Sequence, residues 1–204
     1  MNGEDVGAFK KALRQAMMKK RQAHLSERPS RSERIIQHIV LSSIWQTSRV
    51  VALFYPMPEE VDVSPLLTGA VLRSDTSHDS DKPLILLPKI KTRDTALDFY
   101  PYHAQGALKR HRFGLIEPNP GPDEAPYPLH DVDLVLIPLL AVDCHGTRLG
   151  YGGGYYDRTL PLMKRAFRLG VAFHYQLVPE LPRAPWDIPL QAVVTDDGWF
   201  EIPC

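Results

Sequence analysis

The amino-acid sequence predicts an α/β fold: a single domain over residues 1–204 with a mostly parallel central sheet flanked by helices on both faces. Three observations predict it. Short apolar runs rich in β-branched and aromatic residues recur along the chain, and several stop at a proline, as buried strands do. Segments with helical periodicity lie between several of them, which is the alternation of a parallel sheet. No repeat and no linker-like change of composition divides the chain.

The elements follow in order. Residues 5–24 predict a helix, because Phe9, Leu13 and Met17 recur every fourth residue while Lys and Arg fill the other faces. A second helix is expected from Ser32 to Trp45, with Ser32 as its N-cap and Ile35, Ile36, Ile39 and Val40 apolar. The run RVVALFYP, ending at Pro56, reads as the first buried strand. Further strands are expected at 84–88, 96–101, 133–138, 168–173 and 191–195, and further helices at 64–73 and 156–166. Two polar stretches interrupt the pattern. SDTSHDSDKP at 74–83 reads as a surface loop, and EPNPGPDEAPYP at 117–128 is too rich in proline for a helix or a central strand.

Lys plus Arg and Asp plus Glu each number 24, so no global field draws the protein to nucleic acid or to a membrane, and any basic site has to be local. Cys144 and Cys204 have no metal-ligand spacing and do not suggest a secreted disulfide framework. No signal-peptide core opens the sequence, and no run of roughly 18 apolar residues occurs. A cytoplasmic protein, acting as a monomer on small molecules, is therefore expected. None of the eight histidines falls in a helix-spaced zinc motif.

The densest chemistry lies in RLGYGGGYYDR, Arg148 to Arg158. Its glycines match neither the dinucleotide pattern, which would require glycine where Tyr155 stands, nor a P-loop, since no Gly-Lys-Ser/Thr follows. The physics of those loops still applies, because glycines let main-chain N–H groups approach an anion and a helix start adds a favourable dipole. A tight turn needing positive φ is the plainer reading. In open α/β sheets ligands sit beyond the carboxyl ends of strands, and both this stretch and LFYPMPEEVD follow predicted strand ends.

RLGYGGGYYDR closely resembles the signature of the 5-formyltetrahydrofolate cyclo-ligases, the 5,10-methenyltetrahydrofolate synthetases. KKALRQ, VALFYPMPEEVD, FGLIEPNP and DLVLIPLLAVDCHGTRLG follow that family's order, so the resemblance spans nearly the whole chain. It implies conversion of 5-formyltetrahydrofolate to 5,10-methenyltetrahydrofolate, driven by ATP, with magnesium required and ADP and phosphate released. Catalysis of that kind rests on positioning and on neutralising phosphate charge, and needs no protein nucleophile.

By the same resemblance, ATP meets Lys10, Arg14, Arg148, Leu149, Gly150, Tyr151, Gly152, Gly153, Gly154, Tyr155 and Tyr156, with Arg148 as the catalytic cation. Folate meets Tyr55, Glu60, Tyr151, Gly152, Gly153, Gly154 and Tyr155. Magnesium is held by Asp157 and Asp187. On residue type alone, Lys10 and Arg14 are a solvated basic helix face, Tyr155 and Tyr156 are packing residues, Asp157 complements a helix start and Asp187 is a turn acid. Where some relatives carry lysine in the glycine run this chain has Gly153, which shifts the charge burden to Arg148 and main-chain donors. Two other readings stand beside the leading one: a sugar-phosphate isomerase or deaminase on a related fold, and a nucleotide- or folate-binding module without turnover.

Overall fold

A computed structural model describes residues 3–67, 82–103, 106–110 and 114–203. Helices α1 (Gly3–Ala23), α2 (Arg28–Leu41) and α3 (Ser43–Thr47) precede strand β1 (Val50–Ala52), and α4 (Ser64–Leu67) follows it. Strands β2 (Leu84–Lys89) and β3 (Asp98–Pro101) come next, then a small hairpin of β4 (Leu108–Arg110) and β5 (Ile116–Pro118). Strand β6 (Leu134–Pro138) leads into a second hairpin, β7 (Ala141–Val142) and β8 (Arg148–Leu149), and then α5 (Tyr155–Thr159). Strands β9 (Phe167–Val171), β10 (Ala192–Thr195) and β11 (Gly198–Glu201) complete the chain.

The seven-stranded sheet runs β11-β10-β9-β6-β1-β2-β3. Its five central strands pair in parallel, and only the edge strands β3 and β11 are antiparallel. Both faces are covered, which is why the central strands read as unbroken apolar runs. Val51, Leu53, Ile85, Leu87, Leu134 and Leu136 join one core, against Ile35, Ile36 and Ile39 of α2, Trp45 of α3 and Leu66 of α4. The intervening Ala52, Leu86, Val135 and Ile137 join the other, against Leu160 and Met163 from the segment after α5.

The predicted strands are all present, and the helices differ from expectation in instructive ways. The expected helix 32–45 begins at Arg28, with Pro29 in its first turn, so Ser32 is no cap. It is buried, and its hydroxyl accepts the Asp62 N–H (3.0 Å). The helix breaks at Ser42, whose hydroxyl donates to the Ile39 carbonyl (2.6 Å), accepts from the Trp45 N–H (3.3 Å) and so caps α3. The helix expected over 156–166 stops at Thr159 and continues as a single 3-10 turn, Leu160–Leu162, because Pro161 lacks an N–H and its ring crowds the preceding turn. In α1, Met17 is buried and Leu13 packs beside it, but Phe9 is exposed, since the first half of the helix overhangs the site instead of the sheet. Of the helix expected at 64–73, Ser64–Leu67 is seen, and the remainder lies outside the described residues, as does most of the loop 74–83. Among the described residues no helix is long and apolar enough to cross a membrane.

One buried acid shapes the approach to the glycine stretch. Asp143 Oδ1 accepts the N–H groups of His145 and Thr147 (both 2.9 Å), and Oδ2 accepts that of Leu181 (2.9 Å). Gly146, at φ +73°, reverses the chain there, with a Cβ excluded by the Leu190 carbonyl 2.7 Å away. The turn thereby aims β8, and Arg148 with it. Asp143→Ala leaves these donors without an acceptor, two of them on the buried Thr147 and the well-buried Leu181. It is expected to lower stability by about 2–4 kcal/mol in urea unfolding, while a loss below about 0.5 kcal/mol would show that the turn holds without it.

Candidate functional site

Strand β1 lies between β6 and β2, and the segments leaving β1 and β6 diverge, opening a crevice at the carboxyl ends of the strands. A cavity of about 730 Å³ fills it. Phe54, Tyr55, Met57 and Glu60 enter its wall after β1, Pro88 and Ile90 at the end of β2, Pro138 at the end of β6, and Arg148 through Asp157 from β8 to α5. Lys10, Arg14 and Met18 of α1 overhang it, and Trp186 and Asp187 face it from the loop before β10. Every site residue read from the sequence thus lines one cavity.

The glycine stretch is fastened at several points. Arg14 Nε donates to the Gly150 carbonyl (2.9 Å). Gly152 has φ +97°, and a Cβ there would lie 3.3 Å from the Arg14 guanidinium carbon. Gly154, at φ +67°, begins α5, and Arg158 donates to the Gly153 carbonyl (2.7 Å) and to the Arg93 and Thr95 carbonyls (3.1 Å each). With α5 only five residues long, the dipole expected from a longer helix is correspondingly small.

Two of the expected phosphate-binding cations are paired with the expected metal-binding acids. Lys10 Nζ meets Asp187 Oδ2 (3.3 Å), which also accepts the Ala184 N–H (2.8 Å). Arg148, its side chain 6% exposed, bonds Asp157 and the Ile188 carbonyl. Lys10 and Arg148 are therefore neutralised by the expected metal-binding acids in the free protein, while Arg14 bonds the Gly150 carbonyl. Among the described residues no group of three or more His, Cys, Asp or Glu side chains gathers as a metal site.

A second polar group lies deeper. Glu60 is 3% exposed; its Oε2 accepts the Met57 N–H (2.9 Å) and its Oε1 the Tyr151 hydroxyl (3.1 Å). Burial pushes the Glu60 carboxyl above the usual carboxylate range, opposed by the charge of Arg21, the Met57 N–H and the Tyr151 hydroxyl. Burial also raises the Tyr151 and Tyr156 hydroxyls, with the Glu60 charge adding to it, so both remain protonated donors at neutral pH. Tyr151 lines the cavity and is 44% exposed even though its hydroxyl is tied down. Tyr55 lines the wall beside it, and Tyr155 and Tyr156 pack partly against the core.

Several contributors were not read from the sequence. Arg21 donates to Tyr151 and to the Leu139 carbonyl from a buried position; it follows Arg14 by two helical turns, which is the signal that could have found it. Trp186, 71% exposed at the cavity mouth, carried no sequence signal of its own, and Arg158, the last residue of RLGYGGGYYDR, had no role assigned to it there. Glu117 is buried in the wall and accepts the Ile90 N–H (3.1 Å), while Lys89 reaches the Pro118 carbonyl (3.4 Å); neither role is visible in spacing.

The pattern of the 5-formyltetrahydrofolate cyclo-ligase family matches residues 6–196. An Escherichia coli K12 protein named 5-formyltetrahydrofolate cyclo-ligase is 35% identical over 157 residues, covering 76% of this chain and 81% of its own. A Haemophilus influenzae protein of the same name is 29% identical over 160 residues, covering 76% and 80%. The solved structure of Aquifex aeolicus 5,10-methenyltetrahydrofolate synthetase superposes with a TM-score of 0.78 at 31% identity, over 96% of this chain and 93% of that one. A Mycoplasma pneumoniae structure shares the fold with a TM-score of 0.69 at 23% identity, over 92% and 98%. With the family pattern matched from α1 to the end of β10 and the glycine stretch lining the cavity, this chain belongs to the 5-formyltetrahydrofolate cyclo-ligase family.

Proposed function

We propose that this protein converts 5-formyltetrahydrofolate to 5,10-methenyltetrahydrofolate, with ATP cleaved to ADP and phosphate and magnesium required. One observation carries the reading beyond family membership. The glycine stretch stands between two chemically different ends of one cavity: Arg14 bonds it at Gly150, and Tyr151 ties it to the buried Glu60.

The Glu60 end suits a pterin. A carboxylate offers about four lone-pair positions, and the protein occupies one on each oxygen, leaving one on each for an adjacent pair of N–H donors such as those of an aminopyrimidine. Tyr55, Tyr151 and Tyr155 supply flat surfaces beside it. The other end suits a triphosphate. Lys10, Arg14 and Arg148 bring positive charge to it, and main-chain N–H groups of Gly150 to Tyr156 are close enough in sequence to serve as further donors.

In the proposed reaction the formyl oxygen attacks the γ-phosphorus as the bond to the bridging oxygen of ADP breaks. N10 then attacks the activated carbon and loses its proton, and phosphate leaves with the former formyl oxygen. Arg148 neutralises charge on the transferring group, and the loop holds the two substrates in line. Asp157 and Asp187 fit a magnesium site, because each has one carboxylate oxygen without a protein hydrogen bond among the described residues. A magnesium ion held there would neutralise phosphate charge with few protein ligands. Lys10 and Arg148 are released from their aspartates when phosphate oxygens take them as partners. The reading includes a monomer working in the cytoplasm.

The decisive assay mixes purified protein with 5-formyltetrahydrofolate, ATP and magnesium, and follows methenyl absorbance while each component is omitted in turn. Product only in the complete mixture is expected; turnover without ATP points to an isomerase or deaminase, and binding without turnover to a sensing module. Chelation is expected to stop the reaction and magnesium to restore it. Arg148→Ala is expected to lower kcat/KM by about 10²–10³, the scale on which a donor to developing charge acts, whereas Glu59→Ala stays close to the parent. Equal effects would remove Arg148 from its assigned role. Gly152→Ala, which strains a φ of +97° and crowds Arg14, is expected to raise the KM for ATP as read from initial rates.

A further inference from the structure

Arg21 is an anomalous residue for the position it holds. It is 3% exposed, it is absent from the cavity wall, and its Nε has no hydrogen-bond partner. Among the described residues no carboxylate lies within ion-pair distance of it. A buried, unpaired guanidinium is costly, and at a helix-to-sheet joint an apolar side chain of similar length would pack without that penalty. Its two terminal nitrogens show what it is held for. One donates to the Leu139 carbonyl beyond β6, and the other to the Tyr151 hydroxyl, over whose ring the guanidinium carbon lies at 5.8 Å. Because Arg21 supplies the proton to the Tyr151 oxygen, the tyrosine's own proton is directed to Glu60 Oε1 (3.1 Å).

We propose that Arg21 is a positioning residue for folate: through Tyr151 it fixes the Glu60 carboxylate, as an anion, in the orientation that receives the pterin. The proposal rests on the functional reading above for the identity of the ligand. The chain Arg21–Tyr151–Glu60 fastens α1 and the glycine stretch to the segment after β1. The charged and titratable groups around Glu60 are Arg21 from α1, Tyr151 from the glycine stretch, Tyr156 from α5 and its neighbour Glu59. Arg28 of α2 also reaches it, but through the Glu60 carbonyl (2.6 Å), with its charge facing Asp62 (3.6 Å). Arg21 is therefore the cation that counters the burial of the carboxylate, which by itself raises the Glu60 pKa.

The sign follows. The anion is needed for binding, so affinity for folate falls as pH falls through the Glu60 pKa. Removing Arg21 raises that pKa further and moves the acid limb to higher pH. The test uses full-length protein and equilibrium binding of 5-formyltetrahydrofolate by calorimetry without ATP, across pH, together with initial rates. Arg21→Gln is expected to weaken folate binding by about tenfold, with the acid limb displaced upward, the KM for ATP near the parent's and partial recovery in Arg21→Lys. The combined effect of Arg21→Gln and Tyr151→Phe should be smaller than the sum of the two, since both break one chain. Arg21→Gln is used because it keeps a donor at the joint; should it not fold, Arg21→Lys with Tyr151→Phe carries the same comparison. Equal losses for folate and ATP, an unmoved acid limb or strictly additive variants would overturn the proposal, since a loosened α1 would disturb Lys10 and Arg14 as well. Folate binding without turnover in the parent sinks the functional reading alone, and no folate binding sinks both.

Discussion

The site exists because two paired strands part company. Strands β1 and β6 are hydrogen-bonded in parallel, and the chain beyond each then turns away, which would leave main-chain groups at the divergence without ladder partners. Side chains replace the ladder. The Leu139 carbonyl accepts from Arg21 and from the fully buried Gln176 (2.7 Å), whose amide also serves the Leu140 carbonyl (3.0 Å). On the other side Glu60 takes the Met57 N–H, closing the turn after β1. Arg21, Gln176 and Glu60 thus satisfy the main-chain groups at the divergence, and through Glu60, which lines the cavity, the fold and the site share hydrogen bonds.

Charge is managed in the same way. Among the ionisable groups of the cavity wall are Lys10, Asp187, Arg148 and Asp157, four charges each of which alone would lose several kcal/mol of hydration. Lys10 with Asp187, and Arg148 with Asp157, remove that cost in the free protein. On the proposed function, phosphates and a divalent cation arrive together, and each separated partner meets an opposite charge. A ligand bringing only one sign of charge would strand two of the four groups, so the pairing favours the metal-bound nucleotide over the bare one.

How much of this was legible in the sequence depended on the range over which each cause acts. The central strands were readable because burial on both faces makes every residue of Leu134–Pro138 apolar or a terminator. The hairpin strand Leu108–Arg110 is exposed throughout and leaves no such trace, and β11, with no buried residue, does not stand out either. Helix ends were misplaced where one side chain decides locally, as Ser42 and Pro161 do. In the site, the residues carried over by family resemblance all reached one cavity, but their partnerships did not show. Lys10 and Asp187 are 177 residues apart, and Arg21 serves Tyr151 across 130, so no spacing rule connects them. Tertiary packing alone brings such charges together.

The glycine stretch illustrates the difference between flexibility and room. A loop chosen for mobility would be free of contacts, yet Gly150 is held by Arg14, Tyr151 by Arg21 and Glu60, and Gly153 by Arg158. What the glycines permit is proximity. At Gly152 the guanidinium of Arg14 sits where a methyl group would press on it, and positive φ there turns the chain so that this approach is possible. The backbone is consequently immobilised by side chains from three separate elements, while its own lack of side chains keeps the cavity wall thin. A thin, fixed wall is what a reaction between two bound molecules requires, because an extra ångström between them weakens catalysis more than any single contact can restore.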